Sequence, residues 1–307
     1  MTFHFVTADV FTDRTFGGNQ LAVFPDANGI DPNLMQDIAR EFNFSETTFV
    51  LLPADPAHTA RIRIFTPGGE LPFAGHPTVG TAHVLAATGA VRLTGDSTKI
   101  VFEEGVGPVS VTIRAKGGKP IFAQLTAAKR PEVGPPPPSR ARLARMLSLE
   151  PDSLRSGAFE PESVSCGVPF LFVPLVDRRA VAAARIKLDL WKEALDGYLT
   201  SKVFVFAEDG ERPGSDIRAR MFAPGIGVPE DPATGSAAVG LAGYLAARDP
   251  RRDGTLHWVV EQGFEMGRPS ILEAEADKKD GVVTATRVGG STVIVTTGEM
   301  TLPTTMS

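Results

Sequence analysis

The feature that most constrains this chain is an internal repeat. The segment "TARIRIFTPGGELPFAGHPTVGTAHVLA" (Thr59 to Ala86) is answered by "SDIRARMFAPGIGVPEDPATGSAAVGLAGYLA" (Ser215 to Ala246). Each copy reads as a strand with alternating arginines, a Phe-x-Pro, a glycine-rich loop and an alanine-rich helix. Inside both copies lies Pro-x-x-Gly-[Thr/Ser]-Ala, starting at Pro77 and at Pro232. Pairing those prolines sets His76 and Asp231 at equivalent positions. A weaker echo links "VFEEGVGPVSVTI" (Val101 to Ile113) with "VVEQGFEMGRPSILEAEA" (Val259 to Ala276), each a hairpin-like strand pair. A repeat on this scale implies two similar domains. The run of prolines in "KRPEVGPPPPSR" (Lys129 to Arg140) suits a stiff connector. The expected domains are therefore 1–128 and 129–307, with a last strand able to return to the first.

Short alternating runs predict strands at Phe3 to Phe11, Gln20 to Phe24, Thr47 to Leu52 and Arg61 to Phe65, which points to antiparallel sheet. A helix is predicted over Pro32 to Phe42, with Asp31 as N-cap, Pro32 at the first position and Leu34, Ile38 and Phe42 on one face. The helices after the repeated motifs, "GTAHVLAATG" and "GSAAVGLAGYLAA", are apolar on every side and so must be buried on every side. Sheet wrapped around a central helix, in each of two domains, satisfies that requirement. Arg61 and Arg63, with Arg218 and Arg220, alternate along the matching strands and are expected to face solvent or a dimer partner.

The net charge of -5 offers no long-range attraction to phosphate backbones or anionic membranes, which argues against nucleic acid and membrane as partners. The start "MTFHFVTADVF" has no basic flank and apolar core of a secretory signal, and the expected location is the cytoplasm. A single cysteine, Cys166, rules out an internal disulfide and any Cys-x-x-Cys site, and its apolar setting predicts a packed, inert thiol. No two histidines have ligand spacing, so no metal site is expected. "GIGVPE" lacks the last glycine of a dinucleotide fingerprint, and no cofactor (NAD, flavin or ATP) is expected.

Each repeated segment sends a glycine-rich loop into a helix start, where backbone N–H groups lack intrahelical partners and favour an anion such as a carboxylate. Facing copies would pinch a small molecule between the domains. His76 and Asp231 are candidates for the walls of that cleft. Glu46, in "NFSETTFVLLP", is a carboxylate among Phe44, Phe49, Val50 and Leu51, a setting that tunes a general acid or base toward neutrality; a charge at an exposed strand edge fits the sequence equally well. Asn19 and the "GGELPF" segment are candidate specificity walls. Arg268 in "GFEMGRPS" reads as a structural hairpin residue.

Taken together, "DVFTDRTFGGNQLAVF", "NFSETTFV", "RIRIFTPGGELPFAGHPTVGTA", "EDPATGSAA" and "QGFEMGRPS" resemble the PhzF family, isomerases related to diaminopimelate epimerase. The resemblance implies an α+β fold of two pseudo-symmetric epimerase-like domains, each a barrel-like sheet around a central helix. It implies a cofactor-free site between them and a homodimer. It makes Glu46 the catalytic acid/base, has His76 and Asp231 hold the substrate, and puts Gly75 and Ser236 on its carboxylate. Ser45, Thr78 and Gly235 are further substrate-contacting candidates. The related racemases use two cysteines, which this chain lacks at both motifs. The expected activity is proton migration within a small carboxylate-bearing metabolite; the alternative is a non-catalytic binding or regulatory protein on the same scaffold.

Overall fold

The computed structural model describes residues 1–303 and divides into two compact units. One is formed by Met1–Ala128 together with residues 289–303, the other by Lys129–Val288.

The first unit runs β1 (Thr2–Val10), β2 (Asn19–Phe24), α1 (Pro32–Phe42), β3 (Glu46–Leu51), β4 (Ala60–Thr66), β5 (Gly69–Leu71), α2 (Gly75–Ala87), β6 (Ser97–Glu104), β7 (Gly107–Lys116) and β8 (Lys119–Thr126). β1 pairs antiparallel with β2, β3 with β4, β4 with β5, β6 with β7 and β7 with β8. β2 with β3 and β4 with β6 are parallel. The sheet is thus mixed where antiparallel strands were expected, because parallel neighbours need a crossover and α1 and α2 supply one each. α2 is buried from Gly75 to Ala86 and packs on β1, β2, β3, β7 and β8, the central position its composition demands.

α1 begins and ends as its sequence indicates. The Asp31 side chain accepts the Asn33 N–H at 2.8 Å, Pro32 occupies the first turn, and Asn43 closes the helix in the left-handed region at φ 51°. Met35, Ile38 and Ala39 are buried with Phe24, Phe49 and Phe65, and Leu34 and Phe42 pack at the margin. Each fully buried large apolar side chain there contributes about 1.5–3 kcal/mol.

The second unit runs β9 (Glu132–Val133), α3 (Arg140–Met146), β10 (Glu162–Ser165), β11 (Pro169–Pro174), α4 (Arg178–Ala183), α5 (Leu188–Leu195), β12 (Val203–Ala207), β13 (Ile217–Ala223), β14 (Val228–Asp231), α6 (Gly235–Arg248), β15 (Gly254–Gln262), β16 (Ser270–Lys279) and β17 (Val282–Gly290). The chain then enters the first unit as β18 (Thr292–Thr301), antiparallel to β1. Here too the parallel pairs, β11 with β12 and β13 with β15, are bridged by helices, α4 and α5 in one case and α6 in the other. α6 packs on β10, β11, β15 and β16. The helices approach their sheets closely through glycine: a Cβ on Gly80 would lie 2.5 Å from Val10 Cγ2, and one on Gly240 would lie 2.9 Å from Phe172 Cζ.

Several sequence expectations are corrected. The stretch from Lys129 to Arg140 is not a stiff connector but part of the second unit, where Glu132–Val133 pairs with β10 and Pro131 lies against Gly243. Arg218 and Arg220 are buried, because α4 packs on β13 and each guanidinium is met by carboxylates inside the unit. Arg218 binds Glu261 and Glu265, and Arg220 forms a bidentate pair with Glu230 while donating to the carbonyls of Val181, Ala182 and Ala184. Arg61 is exposed as expected. Cys166 is packed against Val239 and Thr286, and burial pushes its thiol up to about 11.

The α+β class expected from the sequence holds. Among the described residues, no helix is long and apolar enough to cross a membrane.

Candidate active site

In the first unit, three polar residues from three elements converge. Asn19 opens β2 opposite Val10, Glu46 opens β3 alongside Leu21 of β2, and His76 is the second residue of α2. His76 Nδ1 lies 3.1 Å from Asn19 Nδ2, and His76 Nε2 lies 3.3 Å from Glu46 Oε2. An amide nitrogen can only donate, so Nδ1 is the acceptor and the ring proton sits on Nε2, facing the carboxylate. Burial drives the imidazole down to about 3, offset in part by the backbone of Gln20. The ring is therefore neutral at physiological pH, and its Nε2 stands in contact with the Glu46 carboxyl, outside hydrogen-bond geometry. The side chains grade from buried to accessible, with His76 4% and Glu46 14% exposed. Ser45 immediately precedes Glu46 and is half-buried.

Gly75 and His76 head α2, whose N-cap, Ala74, supplies no side-chain cap. Thr78 is completely buried, and its hydroxyl lies 2.7 Å from both Ala74 O and Glu104 Oε1. That oxygen is engaged within the helix head.

In the second unit, Asp231 ends β14, and Gly235 and Ser236 begin α6. Asp231 is buried and accepts the Thr234 hydroxyl. Gln262, at the end of β15, binds this turn three times. Its Nε2 donates to Asp231 O at 2.7 Å and to Thr234 Oγ1 at 2.9 Å, while its Oε1 accepts the Thr234 N–H at 3.1 Å. Ser236 is half-buried. Among the described residues, no group of three or more His, Cys, Asp or Glu side chains is arranged to hold a metal ion.

Comparison of the two heads corrects the register of the repeat. α2 and α6 start at Gly75 and Gly235, so the equivalent of His76 is Ser236, and Asp231 corresponds to Leu71. Pairing Pro77 with Pro232 slides the copies against each other, because the loop from Pro224 to Gly235 is longer than the one from Pro67 to Gly75.

Side-chain devices confirm the corrected register. Arg63 grips Glu70 through Nε and Nη2 at 2.7 Å each, as Arg220 grips Glu230 at 2.8 Å each. Glu103 accepts the N–H groups of Ala54 and Asp55, as Glu261 accepts those of Glu211 and Arg212. These amides, with His58, hold the Glu103 carboxyl at about 2. Glu104 and Gln262 follow as a matched pair, and neither stands out on sequence reading. The aligned stretches "VFEEG" and "VVEQG" contain the signal that locates them.

Residues 8–298 match the model of a family described as phenazine biosynthesis-like protein, PhzC-PhzF. An uncharacterized isomerase of Mesorhizobium japonicum is 38% identical over 307 residues, covering 97% of this chain and 99% of that protein. The trans-2,3-dihydro-3-hydroxyanthranilate isomerase of Pseudomonas chlororaphis is 35% identical over 300 residues, covering 97% and 99%. Among solved structures, a PhzF-family phenazine biosynthesis protein of Bacillus anthracis superposes with a TM-score of 0.87 over 98% of this chain and 100% of that one. Its 24% identity makes this a likeness of fold.

Proposed function

We propose that this chain, which belongs to the PhzC-PhzF family of phenazine biosynthesis-like proteins and is an isomerase, moves a proton between two carbons of a small carboxylate-bearing metabolite, with Glu46 as the group that takes and returns it. The observation that carries this reading is the contact of Glu46 with a neutral, buried imidazole. A neutral His76 neither neutralises Glu46 nor competes for the transferred proton. Its Nε2 stands 3.3 Å from the carboxyl it borders, and the Asn19 amide holds the other ring nitrogen.

The proposed step balances within the substrate. Glu46 removes a proton from an activated carbon, and the electron pair left behind shifts through the conjugated system. The acid form of Glu46 then returns a proton to a second carbon, so nothing is oxidised or reduced. General acid–base catalysis supplies roughly 10²–10⁴-fold. The rest is assigned to positioning, in which a helix head contributes about 0.3–2 kcal/mol toward a bound anion.

In the first unit we assign the head of α2, through Gly75, to a carboxylate; in the second we assign Gly235 and Ser236 at the head of α6 to an anionic group and Asp231 to an amino or hydroxyl group. Ser45 and Asn19 border Glu46 in the same reading. The name of the Pseudomonas relative specifies a carboxylate-bearing substrate, the chemical character proposed for the substrate of this chain.

The test is incubation with candidate carboxylates in deuterium oxide, followed by proton NMR. Label entering a carbon-bound position with the wild type, and its loss with Glu46→Gln, is the expected result. Carbon-bound label that persists undiminished in Glu46→Gln removes Glu46 from the role.

A further inference from the structure

Glu104 is a carboxyl group at the head of α2 that the proposed chemistry leaves unused, and hydrogen accounting makes it unusual. It is buried at the end of β6, and its Oε1 lies 2.7 Å from Thr78 Oγ1. The same Thr78 oxygen lies 2.7 Å from Ala74 O, the carbonyl one turn back in the helix. A hydroxyl has one hydrogen and two acceptor lone pairs. Ala74 O can only accept, so both short contacts reach full strength only when the second hydrogen comes from Glu104.

The other oxygen points the same way. Glu104 Oε2 is buried with no hydrogen-bond donor among the described residues. A carboxylate oxygen in that position is heavily penalised, whereas the carbonyl oxygen of a neutral acid is penalised much less. The matching position in the second unit supplies the third observation. There the residue is Gln262, an amide of the same shape that is neutral by chemistry and ties its strand end to the head of α6 by donating from Nε2.

We infer that Glu104 is held as an un-ionised carboxylic acid, whose proton binds the end of β6 to the first turn of α2 and thereby positions His76 against Glu46. Thr78 is then a structural relay in that turn. The positioning role rests on the reading of Glu46 and His76 given above; the un-ionised state does not.

The surroundings agree. Glu104 borders a cavity of about 490 Å³ whose charged lining is Arg61 and Arg63 on β4, Glu70 on β5 and Glu103 on β6. Arg63 is committed to Glu70, and Glu103 to the amides of Ala54 and Asp55 and to His58. Burial pushes the Glu104 carboxyl up to about 8, with the Thr78 hydroxyl pulling weakly downward. The folded-state value stands above the ordinary 4.5, so the stability the acid contributes is complete below about 4.5 and is lost as pH rises through about 8.

Thermal unfolding of wild type and Glu104→Gln between about pH 5 and about pH 9 tests this directly. The expected result is a gap in unfolding midpoint that widens with pH in favour of the glutamine variant. A gap that stays constant across the range overturns the proposal. Should Glu104→Gln fail to fold, carbon-13 NMR of the glutamate-labelled wild type decides. One side-chain carboxyl, absent from Glu104→Asp, is then expected to titrate near the alkaline end, and its titration in the ordinary carboxylate range overturns the proposal.

The positioning role is read from the pH profile of deuterium exchange. The wild type is expected to lose kcat on the alkaline side with KM little changed, and Glu104→Gln to keep its own neutral-pH rate there. An alkaline loss that persists in the variant overturns the positioning role. Absence of exchange in the wild type at every pH falls on the functional reading, and the unfolding data still decide the state of Glu104.

Discussion

The heads of α2 and α6 are built from the same parts and differ where chemistry is expected. Both are braced by a bidentate arginine–glutamate pair, by a glutamate that gathers two successive loop amides, and by a neutral side chain from the following strand end. At the positions facing the helix start, the copies diverge. His76 stands against Ser236, Leu71 against Asp231, and Glu104 against Gln262. The backbone clamps kept their residues while the side chains at the helix starts changed. This pattern is expected when one scaffold is retained and the two heads take different duties.

The comparison can be broken first at the clamps. Arg220 is buried and also serves three carbonyls, whereas Arg63 is more exposed and Glu70 is 43% exposed. Arg220→Ala strands Glu230 and those carbonyls, so a loss of about 3–5 kcal/mol is expected in denaturant unfolding. Arg63→Ala is expected to cost no more than about 1 kcal/mol. Equal losses would mean that the two pairs are not graded by burial.

The next largest contrast lies in the glycines after the strand ends. A Cβ on Gly263 would meet the carbonyl oxygens of Arg268 and Pro232 at 2.4 and 2.5 Å, in a backbone with φ 77°. A Cβ on Gly105 meets Pro72 at 2.8 Å or more, with no positive φ to add strain. Gly263→Ala is expected to lose roughly 3 kcal/mol and Gly105→Ala roughly half of that. Calorimetric melting of the two variants checks the order.

A smaller, pH-dependent effect sharpens the Glu104–Gln262 match. Gln262→Glu places in the second unit the carboxyl that the first unit already holds. A buried acid in that turn has its folded-state value raised, so the variant should resemble the wild type at low pH and weaken as pH rises. A loss of about 1–3 kcal/mol at neutral pH is expected. A variant equally stable at both ends of the range would show that the second head tolerates an ionised group.

Much of this fold was legible in the chain. α1 could be read residue by residue, because N-cap, proline and periodicity are local signals that the structure repeats at Asp31, Pro32 and Ile38. The burial of α2 and α6 followed from composition alone. The register of the repeat did not follow, because the best-looking dipeptide matches fall across loops of unequal length, and only the paired glycines at the helix starts restore it. The burial of Arg218 and Arg220 is hidden for a related reason: alternation signals a half-exposed strand, and it carries no information about the helix that packs on β13. For the candidate site, Asn19, Glu46 and His76 each stand in a motif that the sequence displays. The contact of Asn19 with the imidazole and the pairing of Glu104 with Thr78 are long-range, and no local pattern encodes them.

The central claim is that Glu46 moves the proton without being needed to hold the molecule that carries it. Its most direct test is one variant, Glu46→Gln, measured twice with the same carboxylate: calorimetric binding, and deuterium entry into carbon-bound positions. The account predicts affinity close to that of the wild type together with exchange reduced by about 10²-fold or more. Exchange at the wild-type rate would contradict it.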